Sequence, residues 1–162
     1  MTDPAATLDI ETLYRRYAGV VLRRALRFYP RSEAEEVVHE VFLEVMQKMD
    51  TFRAESSAST WLWRITTNRC LNRLRDAGRR RELLAEHHDA VPGVLARHQD
   101  TEAQALLAQL WRSLDPELLR IGVYAYVDGL SQDEIAALEG CSPRTVGNRL
   151  TALAEAAKEA AR

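Results

Sequence analysis

The 162-residue sequence has little cysteine, no long apolar run and no excess of positive charge. Cys70 and Cys141 are its only cysteines, and they stand too far apart to indicate a disulfide framework or a zinc site. We expect both to be buried as small apolar side chains. No stretch approaches the ~20 apolar residues that span a bilayer, and residues 1–6 lack the pattern of a signal peptide. We therefore expect a cytoplasmic protein without a membrane segment.

The residue combinations that carry catalysis or hold a cofactor are also missing from the sequence. No carboxylate pair, nucleophile–base set or phosphate-binding loop is recognisable, so an enzyme is the least favoured class. His87 and His88 are adjacent, but no third ligand falls at helical spacing from them. We interpret them as exposed histidines of a linker, and we expect neither a metal nor a cofactor.

The charge of the chain is segregated along its length. The net charge of −2 and the pI of about 6.1 argue against a general nucleic-acid coat. Residues 33–44 contain five glutamates and no Lys or Arg, whereas residues 64–81 contain seven arginines and one aspartate. These blocks predict an acidic face for a protein partner and a basic face for phosphate. The alternative is two solvated helix faces without a binding role.

Hydrophobic periodicity in the first half predicts three helices. The first runs from about Leu8 to Tyr29 and ends at Pro30. The second begins with a capping box of Ser32 and Glu35. Its buried stripe is expected to contain Val37, Val38, Val41, Phe42, Val45, Met46 and Met49.

The third predicted helix is rich in Trp, Asn and Arg. It follows a loop over Thr51 to Ser59, is capped by Thr60 and loses its pattern at Gly78. Arginines can hold a polyanion, indoles can stack on bases, and Asn amides can hydrogen-bond a base edge. Trp61 and Trp63 cannot face the same side, and we expect Trp61 to be buried and Trp63 to be nearer to DNA.

The second half carries several helix-capping signals. Asp115-Pro116 starts one helix, which stops at Asp128-Gly129. Ser131 and Glu134 form a second capping box, Gly140 suits a left-handed C-cap, and Ser142-Pro143 starts the last helix. Two short capped helices around a glycine turn predict a helix-turn-helix, and DNA binding is favoured over a plain helical hairpin.

The predicted organisation is therefore all-α, with two small helical domains joined by a flexible linker. We place the first domain at residues 1–80, the linker at 81–100 and the helix-turn-helix domain at 101–162. A short helical turn from Arg81 to Ala85 is expected inside the linker.

The order of these motifs resembles the sigma subunits of bacterial RNA polymerase of the extracytoplasmic-function (ECF) type. Three segments carry the resemblance, namely Ser32 to Leu43, Phe52 to Arg75 and Asp128 to Val146. The resemblance implies binding to core RNA polymerase, recognition of the −10 and −35 promoter elements, and melting of the duplex near −10. It also implies promoter DNA as a partner and an anti-sigma factor as a typical regulator.

The resemblance also implies which side chains make each contact. The expected polymerase-binding residues are Glu36, Val38, His39, Glu40, Phe42 and Leu43. The expected −10 contacts are Ser56, Ser57, Trp63, Arg64, Asn68, Arg69, Asn72, Arg73 and Arg75, with the arginines on phosphates. The expected −35 contacts are Ser142, Arg144, Thr145, Asn148 and Arg149.

The last helix departs from the family pattern in its charge. Family members often place basic residues at the positions of Gly147, Ala152 and Ala154, whereas this chain has only Arg144 and Arg149 as cations between Ser142 and Ala157. Fewer phosphate contacts reduce affinity for DNA. We therefore expect an unusual or weakly bound −35 element.

Two other functions remain open from the sequence. The first is a sigma-like mimic or adaptor that binds a partner without initiating transcription, and the sparse charge of the last helix motivates it. The second is a helix-turn-helix regulator, which leaves the first domain unexplained.

Overall fold

A computed structural model describes residues 9–51, 57–83, 110–160 and 162. Side chains are described except for those of Thr51 and of residues 78–83. The described residues are helical, as predicted, and fall into an N-terminal domain and a C-terminal domain. Their helices, in chain order, are α1 (Ile10–Ala25), α2 (Arg31–Lys48), a 3-10 turn (Met49–Thr51), α3 (Ala58–Leu83), α4 (Pro116–Gly122), a π-helical turn (Val123–Val127), α5 (Gln132–Glu139) and α6 (Pro143–Ala160). Residues 110–113 are also helical.

The starts of the N-terminal helices differ from the predicted ones. Pro30 is the N-cap of α2, and no side chain caps that end, so the predicted Ser32 capping box is wrong. Glu35 instead accepts a hydrogen bond from Arg31 at 2.9 Å. Ser57, not Thr60, caps α3, because its hydroxyl accepts from the backbone N–H of Thr60 at 3.2 Å.

Two helix ends were also predicted inaccurately. Helix α1 ends at Ala25 rather than Tyr29, and the backbone N–H groups of Arg27 and Phe28 bond to the carbonyls three residues back, those of Arg24 and Ala25, in a tightened last turn. Helix α3 continues past Gly78 to Leu83. A glycine inside a helix costs only about 0.5–1 kcal/mol relative to alanine, which a long helix tolerates.

The local signals of the C-terminal domain are confirmed. The Asp115 carboxylate accepts from the backbone N–H of Glu117 at 2.7 Å. Ser131 and Glu134 form both hydrogen bonds of a capping box. Gly140 has φ +65°, and the Ser142 hydroxyl accepts from the backbone N–H of Thr145 at 3.1 Å. The sequence pattern did not indicate the π-helical turn, in which the N–H of Asp128 bonds to the carbonyl of Val123.

Two apolar clusters hold the described residues together. The larger one joins the inner faces of α1, α2 and α3 with Leu110, Trp111 and Leu114. The smaller one joins Ile121 and Tyr124 to the helix-turn-helix residues Ile135, Ala136 and Val146. Both clusters cross the boundary between the domains. The larger one contains residues of both, and the half-buried Trp63 of α3 packs against the smaller one.

The two cysteines differ in burial. Cys70 is fully buried, as expected, and burial raises the pKa of its thiol to about 12. Cys141 is only half-buried, so the prediction of a buried side chain holds less well there. The described residues contain no helix that is both long and apolar enough for a membrane span. They also contain no group of three or more His, Cys, Asp or Glu residues placed to bind a metal ion. His87 and His88 lie outside the described residues.

Candidate nucleic-acid and polymerase interfaces

Helix α3 carries the predicted −10 residues, and their surroundings differ widely. Ser57 is exposed at the start of the helix, and Ser56 lies outside the described residues. Asn72 is exposed, whereas Arg64 and Arg75 are half-buried. The helix therefore presents some of the predicted side chains to solvent and turns others toward the protein.

The two indoles of α3 pack in different places. Trp61 is half-buried against the larger apolar cluster, and Trp63 is half-buried against the smaller cluster of the C-terminal domain. The guanidinium carbon of Arg24, from α1, lies 4.3 Å from the centre of the Trp63 ring, which allows a cation–π contact. The expected contrast, with Trp61 buried and Trp63 open, is therefore not observed. A neighbouring domain covers Trp63.

Two of the predicted phosphate-binding arginines make ion pairs with α2. Arg69 donates to Glu44 at 2.5 Å. Arg73 donates to Glu40 and to Glu36, each at 2.8 Å. The acidic and basic blocks therefore neutralise each other at these positions, and the prediction of two separate charged faces is wrong for them. We refer to these five residues as the α2–α3 ion-pair network.

The ion pairs also shift the pKa values of Glu44 and Arg73. Burial favours the neutral carboxyl of Glu44, but hydrogen bonds from Lys48 and Arg69 outweigh it and lower the pKa of Glu44. The hydrogen bond to Glu36 raises the pKa of Arg73. Both groups are therefore held in their charged forms, which favours the packing of α2 on α3.

The predicted polymerase-binding residues of α2 divide between core and surface. Val38 and Phe42 are 6% and 5% exposed, and the Phe42 ring packs edge-to-face with Tyr14 at 4.8 Å. Their side chains belong to the core of the domain, which corrects their expected place at the contact surface. His39 and Leu43 are exposed, and Leu43 is 60% exposed.

Met46 is the surface residue of α2 that the sequence pattern misplaced. It was expected in the buried stripe, but it is 57% exposed. His39, Leu43 and Met46 are spaced four and three residues apart, so they share one face of the helix. That spacing is the signal by which Met46 could have been assigned to the surface.

Three of the five predicted −35 residues are exposed at the start and in the first turns of the last helix. Ser142, Arg144 and Asn148 are exposed, and Thr145 is half-buried beside Ser142. Arg149 is half-buried and pairs with Glu117 at 2.8 Å. The predicted readers therefore lie on one accessible side of α6.

Gly147 of α6 lies beside the side chain of Gln132 in α5. A Cβ atom at this position would lie 3.2 Å from Oε1 of Gln132 in α5. The end of the exposed Gln132 side chain would have to shift by a few tenths of an ångström to admit it.

Two contacts between the domains involve residues that sequence reasoning missed. Arg24, which is 1% exposed, donates to the Asp128 carboxylate at 2.6 Å and to the Thr67 hydroxyl at 3.1 Å. Arg120 donates to the Asn68 carbonyl oxygen at 2.7 Å. Arg24 falls on the apolar stripe of α1, three residues after Val21. A charge on a buried stripe needs a partner, and this was the available signal.

Arg120 is itself fixed within the C-terminal domain. It donates to both carboxylate oxygens of Glu139, at 2.8 and 2.5 Å. Burial favours the neutral form, but the Glu139 carboxylate outweighs it and raises the pKa of Arg120. The guanidinium that reaches Asn68 is therefore charged and held in place from behind.

This fold and these surfaces define a two-domain helical protein with a DNA-binding helix-turn-helix. Comparison with known proteins agrees with that class. Residues 13–80 match the family Sigma-70 region 2, and residues 105–152 match the family Sigma-70, region 4. The chain belongs to the ECF family of RNA polymerase sigma factors.

The relatives extend over most of the chain. The ECF RNA polymerase sigma-E factor of Escherichia coli (strain K12) is 32% identical over 154 residues, which cover 87% of this chain and 80% of that protein. The ECF RNA polymerase sigma factor SigE of Mycolicibacterium smegmatis is 33% identical, covering 91% of this chain and 60% of that protein. The fold resembles the sigma factor RpoE from Bartonella quintana, solved in complex with the anti-sigma factor NepR, with a TM-score of 0.52, 19% identity and 94% and 96% coverage of the two chains.

Family membership confirms the predicted class of the protein. The chain is a sigma factor of RNA polymerase with promoter-binding regions 2 and 4, and sigma factors are not enzymes. From here on, region 2 denotes the N-terminal domain and region 4 the C-terminal domain.

Proposed function

We propose that this chain directs core RNA polymerase to promoters, with α3 reading and opening the −10 element and α6 reading the −35 element. The presence of both promoter-binding regions in one chain, in the order of the family, carries this proposal. The openly presented side chains of α6 support the −35 assignment. Because polymerase is the partner, we place the protein in the cytoplasm.

The −10 element would be read by amides and held by arginines. Asn72 is exposed and offers both a donor and an acceptor to a base edge. We assign Asn68 and Trp63 to the same strand. Arg64 and Arg75 would meet phosphates. Opening a base-pair step costs ~1.4 kcal/mol, and stacking on an aromatic ring returns ~1–3 kcal/mol per base.

Arg69 and Arg73 remain proposed phosphate contacts with a second task. A guanidinium has five N–H donors, so it can bind a carboxylate and still reach a phosphate. Their pairing with Glu36, Glu40 and Glu44 also fixes α2, the proposed polymerase-binding helix, against α3. Polymerase binding by α2 and −10 binding by α3 would thereby be coupled.

Polymerase would bind the exposed side of α2. Glu36 and Glu40 border this side while paired with Arg73, and His39, Leu43 and Met46 supply a mostly apolar face. Val38 and Phe42 support this face from the core. Region 4 would bind the −35 element through Arg144, Asn148 and Arg149, with Ser142 and Thr145 near the backbone.

An anti-sigma factor is a further proposed partner. The resemblance to the ECF family suggests one, and the matched Bartonella quintana RpoE was solved bound to NepR.

Reconstituted transcription tests the proposed function. The purified chain is added to core RNA polymerase with a library of promoter fragments, and transcripts are mapped to their starts. Promoter-specific initiation is the expected result. Polymerase binding without initiation would identify a mimic, and duplex binding without polymerase would identify a conventional regulator. Either result contradicts the proposal.

A further inference from the structure

We propose that Gln132 of α5 is a further −35 contact, whose side-chain amide binds the edge of an A·T base pair beside Gly147 of α6. The inference rests on the proposed function, because it requires α6 to lie in the major groove of the −35 element. It deepens that function by assigning base recognition to the first helix of the helix-turn-helix and by naming the base pair.

Gly147 lies in the row of α6 residues that would face DNA. Arg144 precedes it by three residues and Thr151 follows it by four, so these positions share one face of the helix with Asn148. The side chains of Arg144, Asn148 and Thr151 are exposed. Because glycine has no side chain, α6 by itself leaves a gap in this row between Arg144 and Thr151.

The side chain of Gln132 fills this gap from the neighbouring helix. A Cβ atom on Gly147 would lie 3.2 Å from Oε1, 3.8 Å from Cδ and 3.9 Å from Nε2 of Gln132. The whole amide group therefore lies over the glycine. Since Gln132 is the first residue of α5, its side chain crosses from the start of that helix to the exposed row of α6.

The amide of Gln132 is available to an external partner. Its side chain is exposed, and it makes no hydrogen bond to the residues that the structure describes. Ser131 and Glu134, in contrast, bind each other in the capping box at the start of the same helix. Gln132 is therefore not needed to cap α5, and both its donor and its acceptor remain open.

A glutamine amide with both groups open suits adenine. Its oxygen can accept from N6 of adenine while its nitrogen donates to N7, a pattern that the major groove presents at A·T pairs. A phosphate is a less suitable partner here, because Asp133 and Glu134 place two carboxylates in the same turn. Hydrogen bonds with the backbone and then the side chain of Ser131 lower the pKa of Glu134, which keeps that carboxylate charged.

Selection from randomised DNA tests this assignment. Duplex fragments with a randomised segment are offered to the full-length chain alone and to core polymerase carrying it, and the bound fragments are sequenced. Gln132→Ala is the test variant, since alanine favours the helix and leaves the capping box intact. Asp133→Ala changes the next exposed side chain of the same turn and is the matched control. Circular dichroism confirms that each variant is folded.

The loss of the amide should change the preference at one position of the element. We expect the wild type to prefer an A·T pair there by about tenfold, as a two-point amide–base contact allows. Gln132→Ala should lose this preference, and Asp133→Ala should keep it. Gly147→Ala should weaken the preference at the same position, because its Cβ displaces the amide. Adding Gly147→Ala to Gln132→Ala should change nothing further there.

Several results overturn the assignment. Equal weakening of all sequences by Gln132→Ala would identify a phosphate contact, and loss of a G·C preference would exclude adenine. An effect of Gly147→Ala confined to another position would separate the two residues. If the wild type selects a sequence only without polymerase, the proposed function fails, and the same variants still decide the contact of Gln132. If the wild type selects no sequence in either form, both proposals fail. If polymerase carrying the chain selects promoters and Gln132→Ala selects the same ones, the assignment of Gln132 fails alone.

Discussion

The two helices proposed to meet promoter DNA present their side chains in opposite ways. On α3, Asn68 is bound by Arg120 and the Trp63 ring is covered by Arg24. On α6, Arg144 and Asn148 are exposed. Arg144 and Asn148, two proposed −35 contacts, are therefore accessible, whereas Trp63 and Asn68, two of the proposed −10 contacts, already touch other side chains of the chain.

The arginines near Asn68 and Asn148 also differ in burial. Arg120, which holds Asn68, is 13% exposed and makes a two-pronged pair with Glu139, which is 3% exposed. Arg149 of α6 is 27% exposed and pairs with Glu117, which is 43% exposed. A buried pair is costly to break from one side, and an exposed pair contributes little. The Arg120–Glu139 pair beside Asn68 is consequently held more firmly than the Arg149–Glu117 pair of α6.

The largest expected effect follows from this difference in burial. Arg120→Met leaves Glu139 buried without a partner, so we expect the free energy of unfolding to fall by about 3–5 kcal/mol. Arg149→Met is the matched control and should change stability by less than about 1 kcal/mol. Urea unfolding followed by circular dichroism measures both. Similar losses for the two variants would show that the two ion pairs are equivalent after all.

The second prediction concerns Asn148 and Asn68, which we expect to act at different steps, duplex binding and strand opening. Asn148→Ala should weaken the initial duplex complex of polymerase with the promoter by about tenfold, since one good amide–base contact is worth about 1–3 kcal/mol. Asn68→Ala should leave that complex unchanged and reduce the yield of open complex by a similar factor. Filter binding measures the first step, and permanganate reactivity of the melted strand measures the second.

The reverse assignment would contradict this comparison. If Asn68→Ala weakened the duplex complex as much as Asn148→Ala, then α3 would be reading closed DNA. Polymerase affinity, measured separately, should stay near the wild-type value for both variants, because neither Asn lies on α2.

Sequence reasoning succeeded where the signal is local. The capping box of Ser131 and Glu134, the left-handed Gly140 and the cap of Ser142 were all confirmed, because each depends on residues within four positions of one another. The order of the two promoter-binding regions was also predictable, since both motifs are continuous in the sequence.

Sequence reasoning failed where partners are distant. Arg73 and Glu36 are 37 residues apart, and Arg24 and Asp128 are 104 apart, so no periodic pattern joins them. Separate blocks of charge were therefore predicted as separate faces, although packing of α2 on α3 brings them together. The Ser32 capping box failed for a nearer reason, since Pro30 had already started the helix.

The third prediction tests how firmly α6 is held in region 4. A Cβ atom on Gly122 of α4 would lie 2.6 Å from Cδ2 of Leu153 in α6, so Gly122→Ala forces the two helices apart or the leucine into a poorer rotamer. We expect a loss of about 1–3 kcal/mol of stability. Gly19→Ala is the control, because its nearest neighbour would lie at 3.6 Å and alanine favours the helix. A stabilised Gly122→Ala protein would show that α6 is not tightly seated.

The smallest expected effect is a pH dependence in the α2–α3 ion-pair network. The pKa of Glu44 is lowered from 4.5 by Lys48 and Arg69, which outweigh the effect of burial. A lowered pKa means that the carboxylate stabilises the fold above pH 4.5 and that this contribution is lost as the pH falls through the lowered pKa. Glu44→Gln should therefore be less stable than the wild type at pH 7, by no more than about 1 kcal/mol. The difference should shrink below pH 4.5.

Glu35→Gln, which alters an exposed pair of α2 with Arg31, provides the control. A difference between Glu44→Gln and the wild type that stayed constant from pH 7 to pH 3 would mean that the shape of the side chain, and not its charge, holds α2 against α3.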